Sequence, residues 1–233
     1  MNHLNGKRPP FAIPRLENGD RLTRPEFERR YEAMKKPCRA ELIEGVVYMP
    51  SPARWASHGG PHSDILIWLG NYRIATPGVD SANDATVRLD LANEPQPDAV
   101  MVILPEYGGQ AVFSADDYLE QAPELVAEVS ASTASIDLGA KLIVYQRNGV
   151  REYIVWRVLD DALDWFVLRN GAYERLVPDP LGILKSEVFP GLWLAVAALL
   201  RRDGTTVLAV LQQGLASVEH ARFSAQLQTQ RQT

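Results

Sequence analysis

The sequence is poor in several things that would place it quickly. Among 233 residues there is one cysteine, Cys38. No intrachain disulfide can form, and a reducing compartment, the cytoplasm, is the expected home. Long apolar runs are missing as well. The longest, Leu192 to Leu200, is about half of the roughly 18 to 20 residues that a membrane-crossing helix needs. The opening MNHLNGKRPP carries no apolar core, which predicts no signal peptide. Positive charge is scarce too: 24 Lys and Arg stand against 29 Asp and Glu, a net charge of -5. Proteins that coat nucleic acid by bulk electrostatics need a basic face, so that class is set aside. An enzyme that meets phosphate through a metal ion stays open, because the cation supplies the positive charge.

What is present is an ordinary soluble mixture, 46% hydrophobic and 23% charged. The length suits one large domain or two small ones and can bury roughly 70% of the unfolded surface. Residues 1–20, rich in Pro, Gly and Asn, read as a loose arm. Thr23-Arg-Pro-Glu26 is a capping box opening a helix with Phe27, Tyr31 and Met34 on one stripe, ended by Pro37. Glu41 to Met49 reads as strand with Gly45 as a bulge or hairpin point, stopped by Pro50-Ser51-Pro52. Apolar residues at helical spacing predict a helix over 60–75. Strands are expected at 85–91, 99–104, 124–130 and 151–158. A helix capped by Ser132 or Thr133 should follow the third of these and stop at Asn148-Gly149. Asn170-Gly171 between 163–169 and 172–177 is the clearest hairpin signal. An edge strand is expected at 188–194, and an amphipathic helix over the last 25 or so residues. This order predicts an α/β domain built on a mixed sheet.

Three acidic positions lie where a carboxylate is costly. Glu41 and Glu44 flank an apolar pair in ELIEG, Asp98 directly precedes AVMVIL, and Glu128 sits inside LVAEVS. A carboxylate in a buried strand is usually neutral, paired or holding a metal. Strand alternation puts Glu124 and Glu128 on one face, with Val126 between them. Two carboxylates on neighbouring strands are what Mg²⁺ asks for, the remaining ligands being water and substrate phosphate. Lys141 is the only lysine between Lys36 and Lys185 and lies in the helix after the Glu128 strand. It can complete such a site or pair with Asp137 four residues earlier.

His58 and His62 have the spacing of a zinc pair. Gly59-Gly60-Pro61 between them argues against a continuous helix, and no third ligand is evident. Tyr145 reads as core, and Trp156 and Trp165 read as core or dimer contacts. Arg54, Arg73 and Arg88 are candidate phosphate contacts that, taken singly, read as solvated surface.

The segments ELIEGVVYMPSP (41–52), Pro97-Asp98 and ELVAEVSASTASIDLGAKLIVYQRNGVREYIVW (124–156) together resemble the Uma2 family, over roughly residues 25 to 195. That family belongs to the PD-(D/E)XK, or restriction-endonuclease-like, superfamily. The resemblance implies a mixed β-sheet flanked by helices and Mg²⁺-dependent phosphodiester cleavage, with Mn²⁺ as a possible substitute. Asp98 and Glu128 would be the metal carboxylates, the carbonyl of Val129 a further ligand, and Glu41 or Glu44 an additional acidic residue. The superfamily's lysine normally sits two residues after the second carboxylate, where this chain has Ser130. The resemblance moves that role to Lys141 and allows His58 a supporting role near the phosphate.

The expectation is therefore a restriction-endonuclease-like domain over 21–200, with an added hairpin and a helical extension over 201–233. It would cut DNA, form a homodimer and avoid membranes. The alternative is a catalytically silent binding or assembly module on the same fold. A glycosidase using two carboxylates ranks last, because no aromatic cluster suggests a sugar cleft.

Overall fold

The computed structural model describes residues 13–35, 38–49 and 54–231. The arm as far as residue 12, the Pro37 stop and the Pro50-Ser51-Pro52 stop lie outside the described residues. Helix α1 (Arg24–Glu32) starts after Thr23 with Pro25 in its first turn and buries Phe27. The expected capping box does not close, because Glu26 is drawn to Arg29 and Arg30 at 2.7 Å each. The segment at 41–49 is two strands, β1 (Glu41–Ile43) and β2 (Val46–Tyr48). They turn at Glu44 and Gly45, whose φ angles of 52° and 70° fit a tight hairpin.

A wide, π-type turn at Trp55–Gly59 runs straight into α2 (Gly60–Ala75), which buries Ile65, Trp68, Leu69 and Tyr72. Pro61 falls in the first turn of α2, where a missing N–H costs nothing, so the helix is not broken there. Next come β3 (Val79–Asn83), β4 (Val87–Arg88), β5 (Ala99–Ile103), β6 (Val112–Phe113), β7 (Leu119–Glu120) and β8 (Leu125–Ser130). A short helix α3 (Ala134–Ile136), a second π-type turn at Asp137–Lys141 and α4 (Leu142–Asn148) form one continuous run. Gly149 ends it at φ 86°. The chain continues through β9 (Glu152–Arg157), β10 (Ala162–Arg169), β11 (Ala172–Arg175), β12 (Ile183–Lys185) and β13 (Trp193–Ala195). It finishes with α5 (Val196–Leu200), α6 (Gly204–Leu215) and α7 (Val218–Arg231).

Six strands make the central mixed sheet, in the order β11-β10-β9-β8-β5-β3. Within this sheet only β8 and β9 are parallel, and the α3–α4 run is the crossover that a parallel pair requires. The β10–β11 hairpin turns on Asn170-Gly171 as expected. Along β8, Leu125, Ala127 and Val129 face a cluster shared with α2, Trp165, Leu199 and Leu211. Val126 faces the other side, with Tyr145 of α4 and Tyr153 of β9.

Several expectations change. The strand expected at 85–91 shrinks to β4, which belongs to a separate small sheet with β6 and β7. Its place beside β5 is taken by β3, whose VDSAN sequence shows no apolar alternation because an edge strand buries only Val79 there. Residues 193–195 pair with β12 instead of edging the main sheet. The C-terminal stretch is two helices, and Val207, Leu211 and Leu227 join the central core.

Candidate active site

Asp98 ends the loop leading into β5, and Glu128 sits in the middle of β8. Register pairs Ala99 with Ala127, so the two acids arrive side by side at one end of the strands. Two cross-strand bonds lock them: Val129 N–H donates to Asp98 Oδ2 at 2.7 Å, and Asp98 N–H to Glu128 Oε2 at 3.4 Å. Both carboxylates are buried.

The π-type turn between α3 and α4 brings Lys141 in from the next element. Its ammonium lies 2.9 Å from Glu128 Oε1, 2.9 Å from Glu41 Oε1 and 3.7 Å from Asp137 Oδ1. Both pairings open to Lys141 in the sequence are therefore present, and Asp137 is the longer one. Tyr145, one turn further on, donates to Glu128 Oε1 at 3.1 Å, so it serves the core and the cluster together. The same Glu41 oxygen accepts the Gln96 N–H at 2.7 Å. Ser130, in the position where a lysine was missed, donates to Asp137 Oδ2 at 2.5 Å, and Thr133 donates to the same oxygen.

Glu44 goes elsewhere. It occupies the exposed β1–β2 turn and pairs with Arg147 at 2.6 Å, because a turn residue at positive φ points away from the strand face that carries Glu41. Glu124 is also outside the cluster. It accepts the N–H groups of Ile103 and Gln110 at the far end of β8. Trp156 and Trp165 are core. Arg73 is paired with Asp80, and Arg88 with Glu28 and Asp116.

Two contributors had no clear signal in the sequence. Arg39, in the irregular segment before β1, lies 3.2 Å from Asp98 Oδ1 and 2.8 Å from Asp84, and also donates to the Gln96 carbonyl. The histidine pair gains the third group that the sequence did not offer. One ring nitrogen each of His58 and His62 and a carboxylate oxygen of Asp98 lie within 4.8 Å of one another.

The electrostatics follow from this crowding. Burial pulls the Lys141 pKa down, but Glu128, Glu41 and Asp137 outweigh it and push it up, so the ammonium stays charged. Burial raises Glu128 well above the usual carboxylate range, and Asp137, Asp98 and Glu41 raise it further against Lys141. Burial and Glu128 likewise raise Tyr145, which stays a neutral donor. Four buried acids, Asp98, Glu128, Glu41 and Asp137, face two cations, Lys141 and Arg39, and this surplus of carboxylates is what favours a proton on Glu128. Hard oxygen donors in that surplus fit one divalent cation, which would displace the proton favoured on Glu128. Asp98, Glu128 and the Val129 carbonyl are the residues that would hold it, although that carbonyl already faces His58 Nδ1 at 3.0 Å.

A search of curated proteins finds no match. Among solved structures, a crystal structure titled as a "putative nuclease" of the family DUF820 from Anabaena variabilis superposes with a TM-score of 0.53. The match covers 77% of this chain and 99% of that one at 14% identity, a likeness of fold alone. The profile of the Uma2 family, described as "Putative restriction endonuclease", matches residues 24–197, a span holding every member of the acidic cluster. By that match the chain belongs to the Uma2 family.

Proposed function

We propose that this chain is a Mg²⁺-dependent endonuclease that hydrolyses DNA phosphodiester bonds at the Asp98–Glu128–Lys141 cluster, with Mn²⁺ able to replace Mg²⁺. One observation carries this reading: a buried cluster with four carboxyl groups and too few cations to balance them, built on two paired strands around a single ammonium. Structural ion-pair networks tend toward balance, because each uncompensated buried charge is costly. A divalent ion would supply the missing positive charge and displace the proton favoured on Glu128.

A bound ion would supply Lewis-acid stabilisation and lower the pKa of its water. Asp98 and Glu128 would hold it, with the Val129 carbonyl. Lys141 keeps its proton, so it orients the attacking water or stabilises charge at phosphorus and does not act as a base. Glu41 and Tyr145 position Lys141 and Glu128. Glu44 takes no part. Two further expectations belong to the proposal. The protein works in the cytoplasm, in keeping with the free thiol of Cys38, and it pairs as a homodimer, with the exposed β11 edge as the available surface.

The test is cleavage of supercoiled and single-stranded DNA with Mg²⁺, Mn²⁺ or EDTA, comparing Asp98→Ala and Glu128→Ala with the unmodified chain. Metal-dependent nicking should fall at least about a hundredfold in both variants. Cleavage that persists in both would overturn the assignment.

The second reading, a silent binding module, draws on a different observation. Every nearby carboxylate is already engaged: Asp98 by Arg39 and Val129, Glu128 by Lys141 and Tyr145. A network closed this way can be purely structural. Calorimetry separates the two, since a silent module takes up no Mg²⁺ at these acids.

A further inference from the structure

His58, in the π-type turn before α2, and His62, in the first turn of α2, have ring centroids 5.5 Å apart. Each ring is anchored through one nitrogen to a main-chain carbonyl at the end of the sheet. His58 Nδ1 lies 3.0 Å from the Val129 oxygen, and His62 Nε2 lies 2.7 Å from the Asp98 oxygen. A carbonyl can only accept, so the anchored nitrogen carries the hydrogen, and in the neutral ring the other keeps its lone pair. In His58 the free nitrogen is Nε2, and it stands 3.4 Å from Asp98 Oδ1. That lone pair and the carboxylate oxygen repel unless a proton or a metal cation lies between them.

We propose that His58, His62 and Asp98 form a nitrogen-rich cation site that takes a transition-metal ion of the Mn²⁺, Co²⁺ or Zn²⁺ class in preference to Mg²⁺. Imidazole nitrogen suits those ions, whereas Mg²⁺ prefers oxygen ligands and retained water. Ligating histidines commonly donate their second ring N–H to a carbonyl, which fixes tautomer and orientation, and that outer shell is already in place for both rings. One nitrogen of each ring and a carboxylate oxygen of Asp98 lie within 4.8 Å of one another. Ligands bonded at about 2.1 Å stand roughly 3 to 4 Å apart, so modest side-chain rotation closes the set. His58 is 21% exposed, which leaves a route for the ion. The site shares Asp98 with the nuclease reading and otherwise stands without it.

Binding of Co²⁺, followed by its visible absorption and by calorimetry against Mg²⁺, tests the proposal without reference to cleavage. Co²⁺ should bind at least about tenfold more tightly than Mg²⁺. His58→Ala and His62→Ala should each weaken Co²⁺ by about tenfold or more, whereas Glu128→Gln should change it far less. Equal affinity for the two ions, or Co²⁺ affinity unmoved by both histidine variants, would overturn it. Should a variant misfold, the unmodified protein suffices: paramagnetic Co²⁺ must broaden the His58 and His62 ring signals, and unbroadened signals sink the site. Co²⁺ held by the histidines with no cleavage under any ion supports this proposal and counts against the nuclease reading alone.

Discussion

Lys141 carries one positive charge into the company of Glu128, Glu41 and Asp137, and all four side chains are buried. Removing one partner of a buried ion pair leaves the others uncompensated, which typically costs roughly 3 to 5 kcal/mol. Lys141→Ala should lower stability by about that amount in urea unfolding, and saturating Mg²⁺ should restore part of it. A loss below about 1 kcal/mol with no response to Mg²⁺ would mean that the acids are not ionised together. At this scale the sequence exposed residues that violate local pattern: Asp98, Glu128 and Lys141 are polar groups in or beside apolar runs. Arg39 and the partnership of Asp98 with the histidines break no local pattern. Their meaning comes only from chain segments tens of residues apart, so no local signal marks them.

Two glycines show how close packing sets the register of whole elements. Gly214 in α6 lies against the chain at Gly191 and the ring of Trp193, so a Cβ there would stand 2.2 Å from the Gly191 oxygen. Gly70, inside α2, has open space around the same position. Gly214→Ala should therefore destabilise by about 1 to 3 kcal/mol or more, through overpacking. Gly70→Ala should stabilise by about 0.5 to 1 kcal/mol, because a helical glycine costs backbone entropy. Thermal unfolding of the two variants checks both signs, and a Gly214→Ala as stable as the unmodified chain would contradict the close docking of α6. Element identity was legible where composition and period agreed, as in α2, β9 and the β10–β11 hairpin. It failed at β3 and at β12–β13, which exist because a neighbour offers hydrogen bonds to a chain with weak preference of its own.

For the whole molecule, buried acids away from the cluster set the response to pH. Burial pushes Glu152 up to about 7 against four hydrogen-bond donors. Burial, followed by the neighbouring Glu28, pushes Glu94 up to about 8. In the unfolded chain both titrate near 4.5. Between that value and about 7 to 8 the native state therefore holds more protons than the unfolded state, and stability falls as pH rises through the window. Glu152 alone accounts for a change on the order of 3 kcal/mol. Arg29 and then Arg30 hold Glu26 down at about 2, so its contribution is lost instead as pH drops below the usual glutamate range. Urea midpoints measured without metal should peak in mild acid, near pH 5. A midpoint that rises steadily from pH 5 to pH 8 would show that Glu94 and Glu152 are not raised.

The sequence by itself determined the fold class, the family and the chemical character of the site: apolar periodicity fixes which segments are buried, and charge inside a buried strand is too costly to be incidental. Tertiary structure decided the partnerships. Glu41 and not Glu44 joins the cluster because the β1–β2 turn sends one side chain inward and the other to Arg147. Ser130 gives up the lysine's place because the π-type turn at Asp137–Lys141 supplies an ammonium from the next element. His58 and His62 gain Asp98 because strand register and the start of α2 meet at one end of the sheet. Such contacts join residues 30 to 100 positions apart. Local propensity is blind at that separation, and only the closed three-dimensional packing brings the groups within reach.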